Sequence, residues 1–246
     1  MHAATRVGIA DTHVHRLYAD FAGLPVGVVT QCVQHHASFN QVSWQECTGA
    51  TFAEKASSYY EQHEECLFDL LHSCAGRQAR RASYQKDGHW SAFTGAGVTV
   101  LDFGGGLGQT ASLLHEAGKK VTYWDVDGPT SRFAAWYFDR CGHNEIEVLT
   151  TPSRGVELPA QRQWDLVLAE AVLECVPDPV ATVERLAKAV ASGGLLYVIA
   201  DRPEATGARP MRRPVVVADL LAGSPTLRAM EHACKGDGGA DVFRAG

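Results

Sequence analysis

No stretch of this chain is apolar over anything near the ~18 residues that a membrane-spanning helix needs. Its first fifteen residues carry charges and histidines in place of the roughly 7–15-residue apolar core of a secretory leader. A cytoplasmic protein is therefore expected. Basic charge is scarce: 22 Lys and Arg stand against 28 Asp and Glu, a net charge of −6, which argues against broad, salt-driven nucleic-acid binding. The two short basic clusters, Arg77–Arg81 (RQARR) and Arg209–Arg213 (RPMRR), are expected to be solvated surface. The seven cysteines are odd in number and scattered, with no C-x-x-C pair. Reduced thiols in a cytoplasmic protein are expected in preference to a disulfide framework. Internal repeats and low-complexity tracts are also missing.

What is present is an ordinary globular balance, 46% hydrophobic and 20% charged, in 246 residues, enough for a core domain with a helical addition. The chain divides near Gly88–Ala96, into an N-terminal, mainly helical segment (1–95) and a domain of alternating strands and helices (96–246). In the first part, Tyr59, Tyr60, Cys66, Leu67, Leu70, Leu71 and Cys74 recur at helical spacing, so one helical run over Phe52–Ala79 is expected. Thr51-x-x-Glu54 makes a capping box at its start and Gly76 a stop. In the second part the strands are expected at 98–103, 120–125, 146–150, 164–169 and 194–200. Helices are expected at 108–117, 129–141 and 179–191, and a shorter one near 215–222 or 226–234. A last strand is placed near 240–244. Gly118 and Gly193–Gly194 fall where helix C-caps belong. Strand–helix alternation is the mark of a doubly wound, mostly parallel α/β sheet.

The densest information lies in Val98–Asp127, VTVLDFGGGLGQTASLLHEAGKKVTYWDVD. It reads strand, glycine loop, helix, strand, with Asp125 closing the second strand. A parallel strand ending in a glycine loop delivers a ligand to the carboxyl edge of the sheet. The following helix N-terminus favours an anionic group there, and a carboxylate such as Asp125 accepts ribose hydroxyls. The dinucleotide pattern G-x-G-x-x-G fails, because Gln109 stands at its third glycine.

The observed D-x-G-x-G-x-G, with Asp102, Gly104, Gly106 and Gly108, resembles motif I of class I (Rossmann-like) S-adenosylmethionine-dependent methyltransferases. Downstream, QWDLVLAEAVLECVPDPVATVERLAKAVASGGLLYV resembles the family's fourth strand, helix and fifth strand. The family often shows V-L-E-H-V-P-D-P in the intervening loop, and here Cys175 takes the histidine's place. The resemblance covers about residues 96–200. It implies S-adenosylmethionine as cofactor, held by Asp102, Gly104, Gly105, Gly106 and Gly108, with Asp125 on the ribose and Val126 against adenine. Glu170, just past the fourth strand, would face cofactor or acceptor. Where the family frequently has an Asp near the adenine amine, this chain has LTTPSRG, so Thr150, Thr151 or Ser153 would serve, with Thr151 preferred. No N-P-P-Y-like run follows the fourth strand, which argues against nucleobase amines as acceptors. The tail after Ala200 is short, with one plausible strand at Asp241–Arg244, so a shortened C-terminal end with an incomplete antiparallel strand pair is expected.

Methyl transfer needs alignment and dryness more than a base. If a base acts, the candidates are Glu170, His63 and His89, and Tyr59 could hold a sulfonium by cation–π attraction. The H-x-H of His13 and His15 resembles one element of metal-dependent amidohydrolases, but its partners are missing and no metal is expected. His35–His36 beside Cys32 gives no ligand spacing either. The implied activity is methyl transfer to a small-molecule acceptor. Two alternatives stay open. One is attack on the cofactor's aminocarboxypropyl chain, including closure to azetidine-2-carboxylate with release of methylthioadenosine. The other is a non-catalytic cofactor-binding subunit. Neither nucleic acid nor membrane is expected as partner, and oligomeric state is left open, a homodimer among the options.

Overall fold

The computed structural model describes residues 13–74, 97–152, 157–159, 161–200, 210–235 and 240–246. Five helices come first: α1 His13–Ala22, α2 Val26–Gln34, α3 His36–Glu46, α4 Phe52–Gln62 and α5 over 65–74. Thr51 caps α4 as its sequence requires: the Glu54 amide donates to Thr51 Oγ1 (3.2 Å), and the Thr51 amide donates to Glu54 Oε2 (3.1 Å). The expected single run from Phe52 is broken. α4 ends at His63, whose extended backbone (φ −100°, ψ 118°) turns the chain before α5. Apolar spacing is compatible with either arrangement, because Tyr59 and Leu67 both reach the same apolar cluster.

The α/β part holds β1 Thr99–Phe103, α6 Gln109–Glu116, β2 Lys120–Val126, α7 Pro129–Cys141, β3 Glu147–Thr151, β4 Trp164–Glu170, α8 Pro179–Lys188 and β5 Val190–Ile199. Then come α9 Val217–Gly223, α10 Pro225–Ala229, β6 Glu231–Lys235 and β7 Ala240–Arg244. The sheet order is β3-β2-β1-β4-β5-β7-β6, parallel from β3 through β5, with β7 antiparallel to both neighbours. Strand alternation splits the core across the two sheet faces. Leu101, Phe103, Val167 and Val198 meet Val183 and Leu186 of α8. Val100, Leu168 and Tyr197 meet Ala111 and Leu114 of α6 and Phe138 of α7. The N-terminal helices pack onto α7, where Tyr18 and Phe21 contact the Phe133 ring edge-on at 5.6 and 5.4 Å.

Two expectations at the C-terminal end are overturned. The sheet is not shortened: β6 and β7 both form, and β6 occupies a stretch where a helix was one option. α10 stops at Met230 in extended backbone (φ −77°, ψ 148°), which leaves 231–235 to pair with β7. The second concerns Gly193–Gly194. They lie inside β5 and do not cap α8, which closes at Ala189. The Gly193 amide donates to the Ala245 carbonyl (3.2 Å), tying the tail to the sheet.

The H-x-H pair lies on α1, with His13 exposed and His15 buried, Nε2 donating to the Leu71 carbonyl (3.2 Å). Among the described residues no cluster of three or more His, Cys, Asp or Glu could hold a metal, and no helix is long and apolar enough to cross a membrane.

Candidate functional site

Strand order reverses between β1 and β4, which opens a crevice at the carboxyl ends of these parallel strands. β1 runs into a loop whose Gly104, Gly106 and Gly108 all have positive φ (67°, 58° and 76°). The four loop glycines are required for different reasons. A Cβ on Gly104 would run into the Val172 side chain. One on Gly105 would meet the Tyr123 ring at 2.6 Å, and one on Gly108 the Phe138 ring at 2.6 Å. At Gly106 the nearest atom is Leu70 Cδ1 at 3.7 Å, an ordinary contact, so there it is the positive φ that calls for glycine. Gly104 and Gly106 line a cavity at this crevice, a concave site of the kind that takes small ligands. Its floor is Gly104, Gly106, Trp124, Asp125, Val126 and Thr130. Glu170, Val172, Cys175 and Pro177 line the β4 side, and Asn40, Tyr59, Tyr60, Leu70, Met211 and Arg212 form the roof.

Asp125 joins strand to loop. Its Oδ2 accepts from the Gly106 amide (3.0 Å) and the Tyr123 hydroxyl (3.2 Å), and its Oδ1 accepts from the Val126 amide (2.8 Å). Burial lifts its carboxyl from 3.8 to about 6, although these donors pull the other way. Burial and the Asp125 charge hold Tyr123 well above its ordinary value, so it remains a hydroxyl, and it also donates to the Gly106 carbonyl (2.9 Å). A carboxylate offers about four lone-pair positions. Three are filled, so one remains on Oδ1.

Across the crevice the Tyr60 hydroxyl donates to Cys175 Sγ (2.9 Å). Burial raises the Cys175 thiol, while Arg212 and the Tyr60 hydrogen bond lower it, and the upward shift wins. Arg212, only 7% exposed, pairs with Asp69 (3.4 Å), and His36 approaches the same carboxylate at 3.6 Å. Glu170 ends β4 opposite Ile199, and the next residue, Ala171, has φ 51°. Its Oε1 is buried in the cavity wall without a hydrogen-bond partner among the described residues.

The cavity brings together Gly104, Gly106, Asp125, Val126, Glu170 and Tyr59 from the expected set. Asp102, Gly105 and Gly108 stand behind its wall, where Asp102 is 4% exposed. Thr151 lies outside it and holds the Asp127 amide by its carbonyl (2.9 Å), and Thr150 is exposed; Ser153 falls outside the described residues. Tyr59 points its hydroxyl at Asn40 Oδ1 (2.9 Å), so its neighbour Tyr60 carries the hydroxyl nearer the β4 side. His63 does not reach the cavity, because it caps α4, stacks on Tyr59 and lies 3.7 Å from Glu65. His89 and Arg77–Arg81 lie outside the described residues. The expectation of a solvated RPMRR is corrected: Arg212 is buried in the roof, and Arg213 donates to the Val176 carbonyl (2.9 Å) with its guanidinium over the Phe52 ring at 5.2 Å. Asn40 and Asp69 had no signal in the sequence, since neither belongs to a motif, and Met211 and Arg212 lay in a basic cluster read as surface.

Residues 101–196 match the family model described as a methyltransferase domain. The chain is 29% identical over 102 residues to a ubiquinone biosynthesis O-methyltransferase of Nitrosospira multiformis, covering 42% of each protein. It is 30% identical over 103 residues to a tRNA 5-carboxymethoxyuridine methyltransferase of Escherichia coli K12, covering 42% of this chain and 40% of that one. It thus spans about two fifths of the length of these curated relatives. Among solved structures it resembles the N-methyltransferase NodS from Bradyrhizobium japonicum WM9, at 18% identity and TM-score 0.51, over 68% of this chain and 96% of that one. The same protein solved with S-adenosyl-L-homocysteine gives 20% identity and TM-score 0.50, over 67% and 86%. These structural likenesses concern the fold.

Proposed function

We propose that this protein, whose residues 101–196 match a methyltransferase-domain family model, is a class I S-adenosylmethionine-dependent methyltransferase that binds S-adenosylmethionine and transfers its methyl group to a small-molecule acceptor in the cytoplasm. One observation carries the reading: the Gly106 amide donates to the carboxylate of Asp125 on the floor of one cavity at the strand-order reversal. The residues suit the cofactor. Gly104 and Gly106 leave a cradle without Cβ atoms, and the remaining Oδ1 position of Asp125 can accept one ribose hydroxyl. A second ribose contact at Asp125 requires one of its present donors to yield. Trp124 and Val126 offer apolar surface for adenine, with Thr151 at the adjoining strand end. Asp102, Gly105 and Gly108 act by holding the loop's shape.

When bound, the cofactor supplies an activated methyl on a sulfonium, a leaving group that needs no acid. This chain's residues then have to hold the acceptor atom in line at about 3–3.5 Å and keep water out. The roof of Tyr59, Tyr60, Leu70 and Met211 supplies that exclusion, and Glu170 is the side chain placed to take a proton. The N-terminal helices thereby serve as the lid that chooses the acceptor. A roofed cavity and inward-turned Arg212 and Arg213 favour a small acceptor over a nucleic acid. The second reading, attack on the aminocarboxypropyl chain of the same cofactor, is favoured by one observation: Glu170 Oε1, buried without a hydrogen-bond partner among the described residues, could hold the cofactor's amine.

Titration calorimetry tests the reading. S-adenosylmethionine and S-adenosylhomocysteine should bind the wild type, and Asp125→Ala should weaken both at least about 10-fold, or about 1.4 kcal/mol. No binding to the wild type overturns the proposal, and an unchanged affinity in the variant moves the ribose contact elsewhere.

A further inference from the structure

Among the described residues that line the cavity, the charges are lopsided: Asp69, Asp125 and Glu170 face one guanidinium, that of Arg212. Asp125 is engaged by two amides and a hydroxyl, and Asp69 by Arg212 and His36. Glu170 Oε1 has no proton donor among the described residues, although it is buried. A buried carboxylate oxygen without a donor is costly, so such an atom marks the place where a ligand brings one. β4 keeps its pairing with β5 through Glu170 and Ile199, and Ala171 then turns into left-handed backbone, an uncommon conformation for a residue with a Cβ. The carboxylate is therefore held at the cavity by a rigid strand and a strained turn.

Resting on the reading of the site as one for S-adenosylmethionine, we propose that the attacking atom is an amine nitrogen, held and deprotonated by Glu170. An alcohol, carboxylic acid or thiol acceptor would bring at most one neutral donor to a wall with surplus negative charge. An ammonium brings several donors and a compensating charge, and the aromatic ring of Tyr60 also favours a cation. Glu170 takes one proton from the ammonium and becomes a neutral carboxyl. The freed lone pair forms the N–C bond as the C–S bond breaks with its electron pair left on sulfur, and the new ammonium carries the positive charge. The nitrogen has two sources. It belongs to a separate acceptor, in which case a methyl is transferred. Alternatively it is the cofactor's own amine, in which case the chain closes into a four-membered ring and methylthioadenosine leaves.

The test gives full-length protein S-adenosylmethionine, first alone and then with matched alkyl and benzyl amines, alcohols, thiols and carboxylic acids, with products identified by mass spectrometry. Calorimetry with S-adenosylhomocysteine runs in parallel on wild type, Glu170→Gln and Glu170→Asp, and thermal melts check folding. Methylated amines, lost ~100-fold or more in Glu170→Gln, partly restored in Glu170→Asp and accompanied by unchanged S-adenosylhomocysteine affinity, support the proposal with an external amine. Methylthioadenosine without acceptor, with that affinity reduced ~10-fold in Glu170→Gln, supports it with the cofactor's amine and overturns methyl transfer. Turnover of alcohols, thiols or acids with the matched amines inert overturns it. So does a fully active Glu170→Gln, or a cofactor-binding wild type that turns over no amine and releases no methylthioadenosine. Failure of the wild type to bind S-adenosylmethionine overturns the underlying reading instead.

Discussion

With Asp125 as the proposed ribose ligand, pH should act on stability and on affinity with opposite signs. Its folded-state carboxyl lies at about 6 against an ordinary 3.8, so the protein holds a carboxylate at neutral pH against the cost of burial. As pH falls through about 6 the folded state takes up a proton that the unfolded chain does not take until near 3.8. This group's contribution therefore makes the ligand-free protein more stable between those values. Over the same range the protonated carboxyl loses acceptor capacity, so S-adenosylhomocysteine affinity should drop below pH 6 in the wild type and stay low and flat in Asp125→Asn. Calorimetry at pH 5, 6 and 7.5 checks this, and a flat wild-type profile argues against Asp125 as a ribose ligand. Gly104→Ala should abolish cofactor binding, since the new methyl has both a left-handed backbone and Val172 against it. The loop glycines and Asp125 were legible in the sequence because their spacing is fixed by backbone chemistry. Tyr60 was not separable from Tyr59, because adjacent helical residues point about 100° apart and composition does not say which one faces the pocket. Arg212 was read as solvated because charge runs usually are, and its partner Asp69 lies 143 positions away.

At the scale of elements, the capping box on α4 fixes where the roof begins, and Thr51→Ala should lower stability by about 1 kcal/mol, read as a shift in denaturant midpoint with unchanged slope. A second clamp joins α8 to the C-terminal helices. Glu184 accepts from the Ser224 hydroxyl, from the Thr226 hydroxyl and amide, and from Lys188. Burial pushes its carboxyl up, but these donors outweigh burial and bring it down to about 2. Its stabilisation is therefore complete above its ordinary value of 4.5 and fades as pH falls from there toward 2. Ser224→Ala with Thr226→Val should move the acid-unfolding midpoint upward, and an unmoved midpoint would show that the clamp contributes little. Strongly periodic elements such as α8 and β1 were legible from apolar spacing. The break at His63 and the second-to-last strand were not. The first is set by how α4 and α5 meet one cluster, and the second exists only by pairing with β7, which local sequence does not encode.

For the whole molecule, the α/β sheet supplies the floor of the cavity and the N-terminal helices its roof, joined through Phe133 and the Tyr60 backbone packed against Gly128. A Cβ at Gly128 would strike the Tyr60 carbonyl, so Gly128→Val should loosen the roof, raise the acceptor KM and leave S-adenosylhomocysteine affinity within about threefold of wild type; equal losses in both would place Gly128 in the floor. The account stands most directly on the nucleoside that the protein makes. Pure protein is incubated with S-adenosylmethionine, with and without an acceptor panel, and the nucleosides are identified by mass spectrometry. S-adenosylhomocysteine that accumulates only when an acceptor is present is the predicted result. Methylthioadenosine released without any acceptor would contradict methyl transfer.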